Sequence, residues 1–327
     1  MVEKEATDTE PAAHAGGLTR EHVVWAYRLL LDRDPESEDV IGPKLAGSRD
    51  TRELRHHLMT SAEFLSKNRD YAHTNDRTII IKEIDARGGP VRLFVDLADH
   101  VIGLSIVRDR YEQNEVGVVS SVLRPGDSAI DVGAHIGFFT IQMASMVGPL
   151  GAVAAFEPFA ANADLLERSI VENEFEGRVV LRRMAVGAAS GTGVLTFPVE
   201  TLNTGGAYLL PDGGSPLPGN LEQAVPIVAL DDLDLRRPVR LIKMDAEGAE
   251  PKVVQGAARL LREDRPVVLC ELHPVQLERA SGTTSTTFLE QLRTMGYRTH
   301  GLRNGIIDEP LDRVPADEVV SVALLPV

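Results

Sequence analysis

The stretch Ser128-Ala-Ile-Asp131-Val-Gly133-Ala134-His135-Ile-Gly137-Phe-Phe-Thr140 brings an acid, two glycines and a histidine together, and Ala154-Ala-Phe-Glu157-Pro158 follows downstream. The first piece reads as a short buried strand that breaks into a glycine turn and opens a helix. The second reads as another buried strand with an acid at its tip, 20 residues beyond Gly137. A glycine turn lets backbone approach a ligand closely, and a strand-end carboxylate can accept hydrogen bonds from both hydroxyls of a ribose. Together they describe a pocket for a nucleoside.

The spacing Asp-x-Gly-x-x-x-Gly differs from the dinucleotide pattern Gly-x-Gly-x-x-Gly. A loop that holds a pyrophosphate aims bare amides at it, and an acid at Asp131 would repel that ligand. S-adenosylmethionine has no phosphate and carries a sulfonium and an α-ammonium, so an acid beside the loop favours it. The expected contacts are Asp131, Gly133, Ala134, His135, Gly137, Glu157 and Pro158, with Phe156, Met184 and Ala185 facing the adenine. Taken alone, Asp131 is a turn-forming aspartate and Glu157 a helix-start acid ahead of Pro158. Their joint occurrence at two strand ends selects the cofactor reading. His135 reads as a cofactor contact or a residue that fixes the turn.

Three blocks, Ile130-Asp-Val-Gly-Ala-His-Ile-Gly-Phe138, Phe156-Glu-Pro158 and Leu241-Ile-Lys243-Met-Asp245-Ala-Glu247-Gly-Ala-Glu250, resemble the FkbM-type methyltransferases of the class I S-adenosylmethionine-dependent superfamily. Val225-Pro-Ile-Val-Ala-Leu-Asp-Asp-Leu233 and Glu271-Leu-His273-Pro274 support the resemblance, which runs from about Glu112 to the C-terminus. The Lys-x-Asp-x-Glu-Gly-x-Glu block is its specific part. Strand–helix alternation implies an α/β fold with a mainly parallel sheet and helices on both faces, and the resemblance implies that this is a Rossmann-like, doubly wound, seven-stranded sheet with an antiparallel C-terminal strand. It also implies methylation of a hydroxyl on a sugar, polyketide or related natural product, and places Tyr111 and Glu112 over the cofactor. The Gly/Pro-rich stretch Asn203–Gly219 departs from the family and is expected to shape the acceptor pocket.

Methyl transfer is an in-line displacement in which the protein aligns the acceptor and, for a hydroxyl, takes its proton. Ligands of a doubly wound sheet bind outside the strand C-terminal ends. Asp245 and Glu247 follow the strand Leu241–Met244, and Glu271 and His273 end the strand Val267–Leu272. If those strands are neighbours, as in the superfamily, the four side chains converge. Two versions of the chemistry stay open: Asp245 and Glu271 hold a divalent cation such as Mg²⁺ that acidifies the acceptor, or His273 or an acid is a metal-free general base. Lys243 pairs with an acid or orients the acceptor. Blander readings are a helix start for Glu247–Glu250, a strand-ending turn for His273-Pro274 and a structural Lys–Asp pair. Cys270, flanked by apolar strand residues, reads as core.

Composition bounds these readings. The chain has 327 residues, 43% hydrophobic and 25% charged, with a formal net charge of -15, which argues against nonspecific binding to nucleic acid or an anionic membrane. The single cysteine permits no intrachain disulfide, the polar start lacks a signal peptide's apolar core, and no apolar run approaches a membrane span, so a cytoplasmic protein is expected. Its partner is expected to be a small hydroxylated acceptor. Two other classes remain as alternatives: a catalytically inactive nucleoside-binding scaffold, and a nicotinamide-dependent oxidoreductase, which the missing Gly-x-Gly-x-x-Gly opposes.

The elements that must carry these residues follow from periodicity. Residues 1–17 read as a disordered tail and 68–76 as a polar linker. Residues 18–70 read as a small all-helical domain: Thr19 caps a helix whose Val23, Ala26, Tyr27, Leu30 and Leu31 share a face, and Leu54, Leu58, Ala62 and Leu65 mark a later one. Tyr27-Arg-Leu-Leu-Leu-Asp-Arg-Asp-Pro35 and Ser61-Ala-Glu-Phe64 resemble a DUF4214-like helical module; the plain structural reading, preferred over chemistry, is a cap that supplies packing or homodimer contacts. The methyltransferase-like domain is expected over 71–327. It starts with a hairpin around Arg87-Gly-Gly-Pro90 and a helix over Tyr111–Leu123. Strands follow at Ala129–Val132, Ala152–Phe156, Val179–Arg183, Val194–Phe197, Leu241–Met244, Val267–Leu272, Tyr297–Leu302 and Val319–Leu325, and helices at Ala160–Asn173, Pro251–Leu261 and Phe288–Met295.

Overall fold

The structure, a computed structural model, describes residues 18–59, 61–67, 78–99, 101–198, 204–211, 213–217, 219–311, 313, 315 and 318–327. The tail expected over 1–17 and the linker expected over 68–76 lie outside the described residues. The chain forms two compact units, 1–73 and 74–327.

The first unit is helical: α1 (Arg20–Leu31), α2 (Glu38–Ala46), α3 (Thr51–Met59) and α4 (Ala62–Lys67). Thr19 and His22 close a reciprocal cap at the start of α1, and Asp32 ends that helix in the left-handed region. Val23, Tyr27 and Leu31 recur at helical spacing and are buried, as are Ile41, Leu54, Leu58 and Phe64. The later helix expected through Ala62 and Leu65 is instead two helices, broken between Met59 and Ala62.

The second unit opens with a hairpin, β1 (Ile79–Ala86) and β2 (Gly89–Asp96), then α5 (Ile102–Val107) and α6 (Gln113–Val122). Strands and helices then alternate: β3 (Ser128–Val132), α7 (Phe138–Val147), β4 (Ala152–Phe156), α8 (Ala160–Glu172) and β5 (Val179–Arg182). Next come β6 (Ala185–Val186), β7 (Gly191–Pro198), β8 (Tyr208–Leu209), β9 (Asn220–Val228) and β10 (Val239–Met244). The chain finishes with α9 (Glu250–Gly256), α10 (Ala258–Asp264), β11 (Val267–Leu272), α11 (Pro274–Ser281), α12 (Ser285–Thr294), β12 (Tyr297–Arg303), β13 (Ile306–Pro310) and β14 (Val320–Pro326).

The main sheet has the order β13-β12-β14-β11-β10-β3-β4-β5. The strands from β5 across to β11 are parallel, β14 runs against β11, and β12 runs against β14, so the expected mixed Rossmann-like sheet forms. It has eight strands, not seven. The addition is β13, which doubles back on β12 through Asn304-Gly305, both at positive φ. Asn-Gly is a strong signal for a tight hairpin, so the extra strand is encoded locally.

Alternation along the buried strands sends side chains into two cores. Ala129, Leu241 and Leu269 meet residues of α6, α7, α8 and the β1–β2 hairpin. Ile130, Ile242, Val268 and Cys270 meet residues of α9 to α12 on the other face. The sheet is therefore doubly wound, and Cys270 is core as expected.

Two expected elements differ. Val194–Phe197 does not enter the main sheet; it belongs to β7 of a separate four-stranded sheet, β6-β9-β7-β8, with Leu195, Leu209 and Val225 packed on Phe159 and Ala185. The helix expected over Pro251–Leu261 is two, because the chain re-starts at Ala257.

Close backbone contact also fixes α6. A Cβ at Gly117 would lie 2.3 Å from the Cα of Gly305 in the β12–β13 turn. Gly→Ala inside an exposed helix normally stabilises by about 1 kcal/mol. At this contact overpacking should dominate, so Gly117→Ala is expected to destabilise by about 1–3 kcal/mol; urea unfolding that shows stabilisation would contradict the packing.

Candidate active site

The order β11-β10-β3-β4 places the reversal of strand order between β3 and β10, where an open α/β sheet leaves a crevice at its strand C-termini. The glycine turn fills the space between these strand ends. Gly133 N and Ala134 N both donate to Phe156 O at the tip of β4, at 3.0 and 2.9 Å. Asp245 N donates to Val132 O at 3.0 Å. Gly133, His135 and Gly137 all have positive φ. A Cβ on Gly133 would fall 1.8 Å from Asp245 O, and one on Gly137 2.3 Å from Leu166 Cδ1. Only glycine fits there without moving a neighbour.

A cavity of about 380 Å³ opens beside this turn, within the size range of small-ligand sites. Gly133, Ala134, His135, Glu157, Pro158, Met184, Ala185, Lys243, Asp245, Glu271 and His273 all line it. So do Tyr111 and Glu112, and Gly205, Gly206, Ala207 and Leu209 from the Gly/Pro-rich stretch. Asp131 and Gly137 do not form its wall. Asp131 lies beneath the turn, 1% exposed, with Oδ2 accepting from Thr140 Oγ1 at 2.6 Å and Oδ1 without a partner. Gly137 is the residue that starts α7.

Glu157 is gripped by the backbone. Its Oε2 accepts from His135 N and its Oε1 from Phe159 N, both at 2.8 Å. Burial nonetheless pushes its carboxyl up to about 7. The Asn162 side chain bonds the same carboxyl, which keeps acceptor capacity for a ligand donor. Burial also lowers the His135 ring to about 4, so that ring is neutral at physiological pH.

The opposite part of the cavity is acidic. Lys243 is 5% exposed, its Nζ lies 3.0 Å from Asp245 Oδ2, 4.0 Å from Glu112 Oε2 and 4.8 Å from the centre of the Phe139 ring. Burial opposes its charge, but the carboxylates of Asp245, Glu112 and Asp131 outweigh burial and hold the ammonium protonated. Glu271 is pushed up to about 7 by burial and by the charges of Asp245 and Glu112. Glu247 is pushed up to about 9 by burial, Asp245 and Glu271. His273 Nδ1 is buried without a hydrogen-bond partner. The four residues expected to converge from the ends of β10 and β11 thus line one cavity.

Glu250, expected only to favour a helix start, folds back on its own loop: its Oε1 accepts from Ala246 N at 2.8 Å and Gly248 N at 3.3 Å. Gln276 and Asn162 line the cavity unanticipated. Pro274 in the first turn of α11 signals a helix start, which would have placed Gln276 near the strand end.

The donor set fits S-adenosylmethionine. Glu157, held by backbone amides at the strand end, lines the cavity and offers a carboxyl to ribose hydroxyls, and the buried Asp131 beneath the turn adds an acid close to where a cationic nucleoside would lie. The expected Mg²⁺ at Asp245 and Glu271 finds no support. Asp245 is engaged by Lys243, and among the described residues no three His, Cys, Asp or Glu side chains come together to hold a metal ion.

The methyltransferase FkbM domain model matches residues 131–299. None of the curated proteins matches the sequence. Similar solved structures include the methyltransferase FkbM from Methylobacillus flagellatus KT, at 17% identity and a TM-score of 0.37, covering 65% of this chain and 50% of that one. The chain therefore spans half the length of that protein. An S-adenosylmethionine-dependent O-methyltransferase from Thermotoga maritima matches at 15% identity and a TM-score of 0.37, over 75% of this chain and 77% of that one. The M. jannaschii tRNA m1G37 methyltransferase matches at 13% identity and a TM-score of 0.41, over 77% and 58%. Among the described residues, no helix is long and apolar enough to cross a membrane.

Buried acids with raised values make stability depend on pH. Glu250 and Glu271 rise from 4.5 to about 7 and Glu247 from 4.5 to about 9. Their stabilising effect is full below the unfolded value and is lost as pH rises through the folded ones. Ligand-free protein should therefore lose stability steadily between about pH 4.5 and 9, and Glu250→Gln should flatten the profile near 7. Denaturant unfolding across pH checks both; a stability maximum above pH 8 would contradict the burial of these acids.

Proposed function

The chain belongs to the FkbM methyltransferase family, and on that premise we propose that it transfers the methyl group of S-adenosylmethionine to a hydroxyl of a small sugar or other natural-product acceptor. The observation that carries this reading is the shared cavity: the glycine turn and Glu157 line it together with Asp245, Glu271 and His273. S-adenosylmethionine supplies a methyl group on a positively charged sulfur. Gly133, Ala134 and His135 would hold it through the turn, Glu157 would accept from its ribose, and Met184 and Ala185 would flank its base.

Glu271 is the general base. Its carboxyl, held near 7, is part-ionised at neutral pH and still basic enough to take a hydroxyl proton. Lys243 keeps Asp245 and Glu112 in place and limits the negative charge around Glu271. His273, with its orphaned Nδ1, orients the acceptor or accepts the proton in turn. No step runs through a metal ion, and EDTA is expected to leave turnover unchanged.

Calorimetric titration with S-adenosylhomocysteine tests the donor site. Glu157→Ala should weaken binding roughly 10- to 100-fold, since two hydrogen bonds to a charged group are lost. Glu271→Gln should keep that affinity while turnover falls about 10²- to 10⁴-fold. Unchanged turnover in Glu271→Gln would remove the base assignment, and absence of S-adenosylhomocysteine binding to the wild type would remove the methyl-transfer reading.

A further inference from the structure

We propose that the excursion between β6 and β9 walls the nucleobase end of the cofactor site, and that this wall takes the base by shape, without a side-chain hydrogen bond; this rests on the methyl-transfer reading above. The strand order fixes which end of the cavity is which. Asp245 and Glu271 stand at the ends of β10 and β11, and Glu157 at the end of β4, three strand positions from β11. At the spacing of strands in a sheet that is roughly 14 Å. A nucleoside carries its 5′ sulfur and its base on opposite sides of the ribose. With the ribose at Glu157 and the sulfur turned toward Glu271, the base points past β4, toward Met184 and Ala185.

The second sheet packs against that end. Phe159, two residues beyond Glu157, is buried with Ala185 among Leu195, Leu209 and Val225. Its ring centre lies 4.7 Å from that of Phe197. Leu195 of β7 pairs with Leu209 of β8, and Leu210 N donates to Val194 O at 2.8 Å. The short turn Thr204–Gly206 immediately ahead of β8 is thereby delivered to the same side. Leu195, Gly205, Gly206, Ala207 and Leu209 all line the cavity. On this reading the Gly/Pro-rich stretch, expected to shape the acceptor pocket, shapes the cofactor's end of it.

None of these side chains carries a nitrogen or an oxygen. An apolar wall discriminates by size and separates bases of one shape by no more than about 10²-fold, whereas a site built to hydrogen-bond a ligand group rejects the analogue lacking it by about 10⁴-fold or more. Gly206 is the position at which the wall can be thickened. Its φ lies outside the left-handed region, and a Cβ there would meet no atom within 4 Å. A side chain can be added without backbone strain and fills space beside the base.

Calorimetric titration of the full-length protein tests this with S-adenosylhomocysteine, 5′-methylthioadenosine and S-inosylhomocysteine, in which a 6-oxo group replaces the 6-amino group. The inosyl compound should bind within about 10²-fold of S-adenosylhomocysteine. Gly206→Leu should weaken S-adenosylhomocysteine and 5′-methylthioadenosine alike, each by at least about fivefold, because both carry the base and only one carries the amino acid. Gly206→Ala should lie between wild type and Gly206→Leu. Thermal unfolding without ligand reports folding of the variants; if Gly206→Leu does not fold, Gly206→Ala and the inosyl comparison on wild type decide. A larger loss with the inosyl compound, a smaller loss in Gly206→Leu, or a loss confined to S-adenosylhomocysteine would overturn the proposal. Failure of the wild type to bind S-adenosylhomocysteine would instead remove the reading it rests on.

Discussion

Backbone has to pass through backbone-sized space where β3, β4 and β10 end together, and the rest of the site depends on this. Two amides of the Gly133 turn share the carbonyl of Phe156, Val132 receives the amide of Asp245, and no Cβ fits between Gly133 and Asp245. The turn thereby carries the register of the parallel sheet into the cavity. Glu157, which takes the amide of His135, and Asp245, which follows the paired Lys243 and Asp131, are placed by the same strand ends. Their separation is set by strand spacing, not by loop flexibility.

Charge is the second constraint. Asp131, Glu112 and Asp245 surround one buried ammonium, and Glu247, Glu250 and Glu271 gather near them with no second cation among the cavity-lining residues. The protein accommodates this surplus by holding several carboxyls protonated and by giving others backbone donors, as Ala246 and Gly248 do for Glu250. Such a site is unfavourable for phosphates and favourable for a cationic nucleoside. Acidity that costs stability in the free protein becomes selectivity once a ligand arrives.

Where one residue type at one spacing had a single local explanation, the sequence was legible. The glycine turn, Glu157 at the next strand tip, and the Lys243–Glu250 block all line or underlie the cavity, because strand, turn and acid are neighbours in the chain. The doubly wound sheet followed from alternation. Features made by distant segments were not legible. Val194–Phe197 alternates like any strand, and only its pairing with Asn220–Val228 shows that it belongs to a second sheet. Gln276 becomes a cavity residue only because Gly248 lets the β10–α9 turn touch α11. The position of Asp131 beneath the turn depends on Thr140 coming back around one helical turn to hold its carboxylate. Asn304-Gly305 is different: its hairpin signal is local and lies in the sequence itself.

The second sheet enters and leaves the fold at one place, where Ala185 and Val186 pair with Ile227 and Val228. The chain between those paired residues is a single excursion whose ends are already side by side, so its length can change at little cost in loop-closure entropy. The excursion nevertheless contributes Leu195, Gly205, Gly206, Ala207 and Leu209 to the cavity wall. It is a cassette: a lineage could exchange residues 187–226 wholesale and reshape that wall, while the parallel strands that hold the glycine turn and both sets of acids descend unchanged.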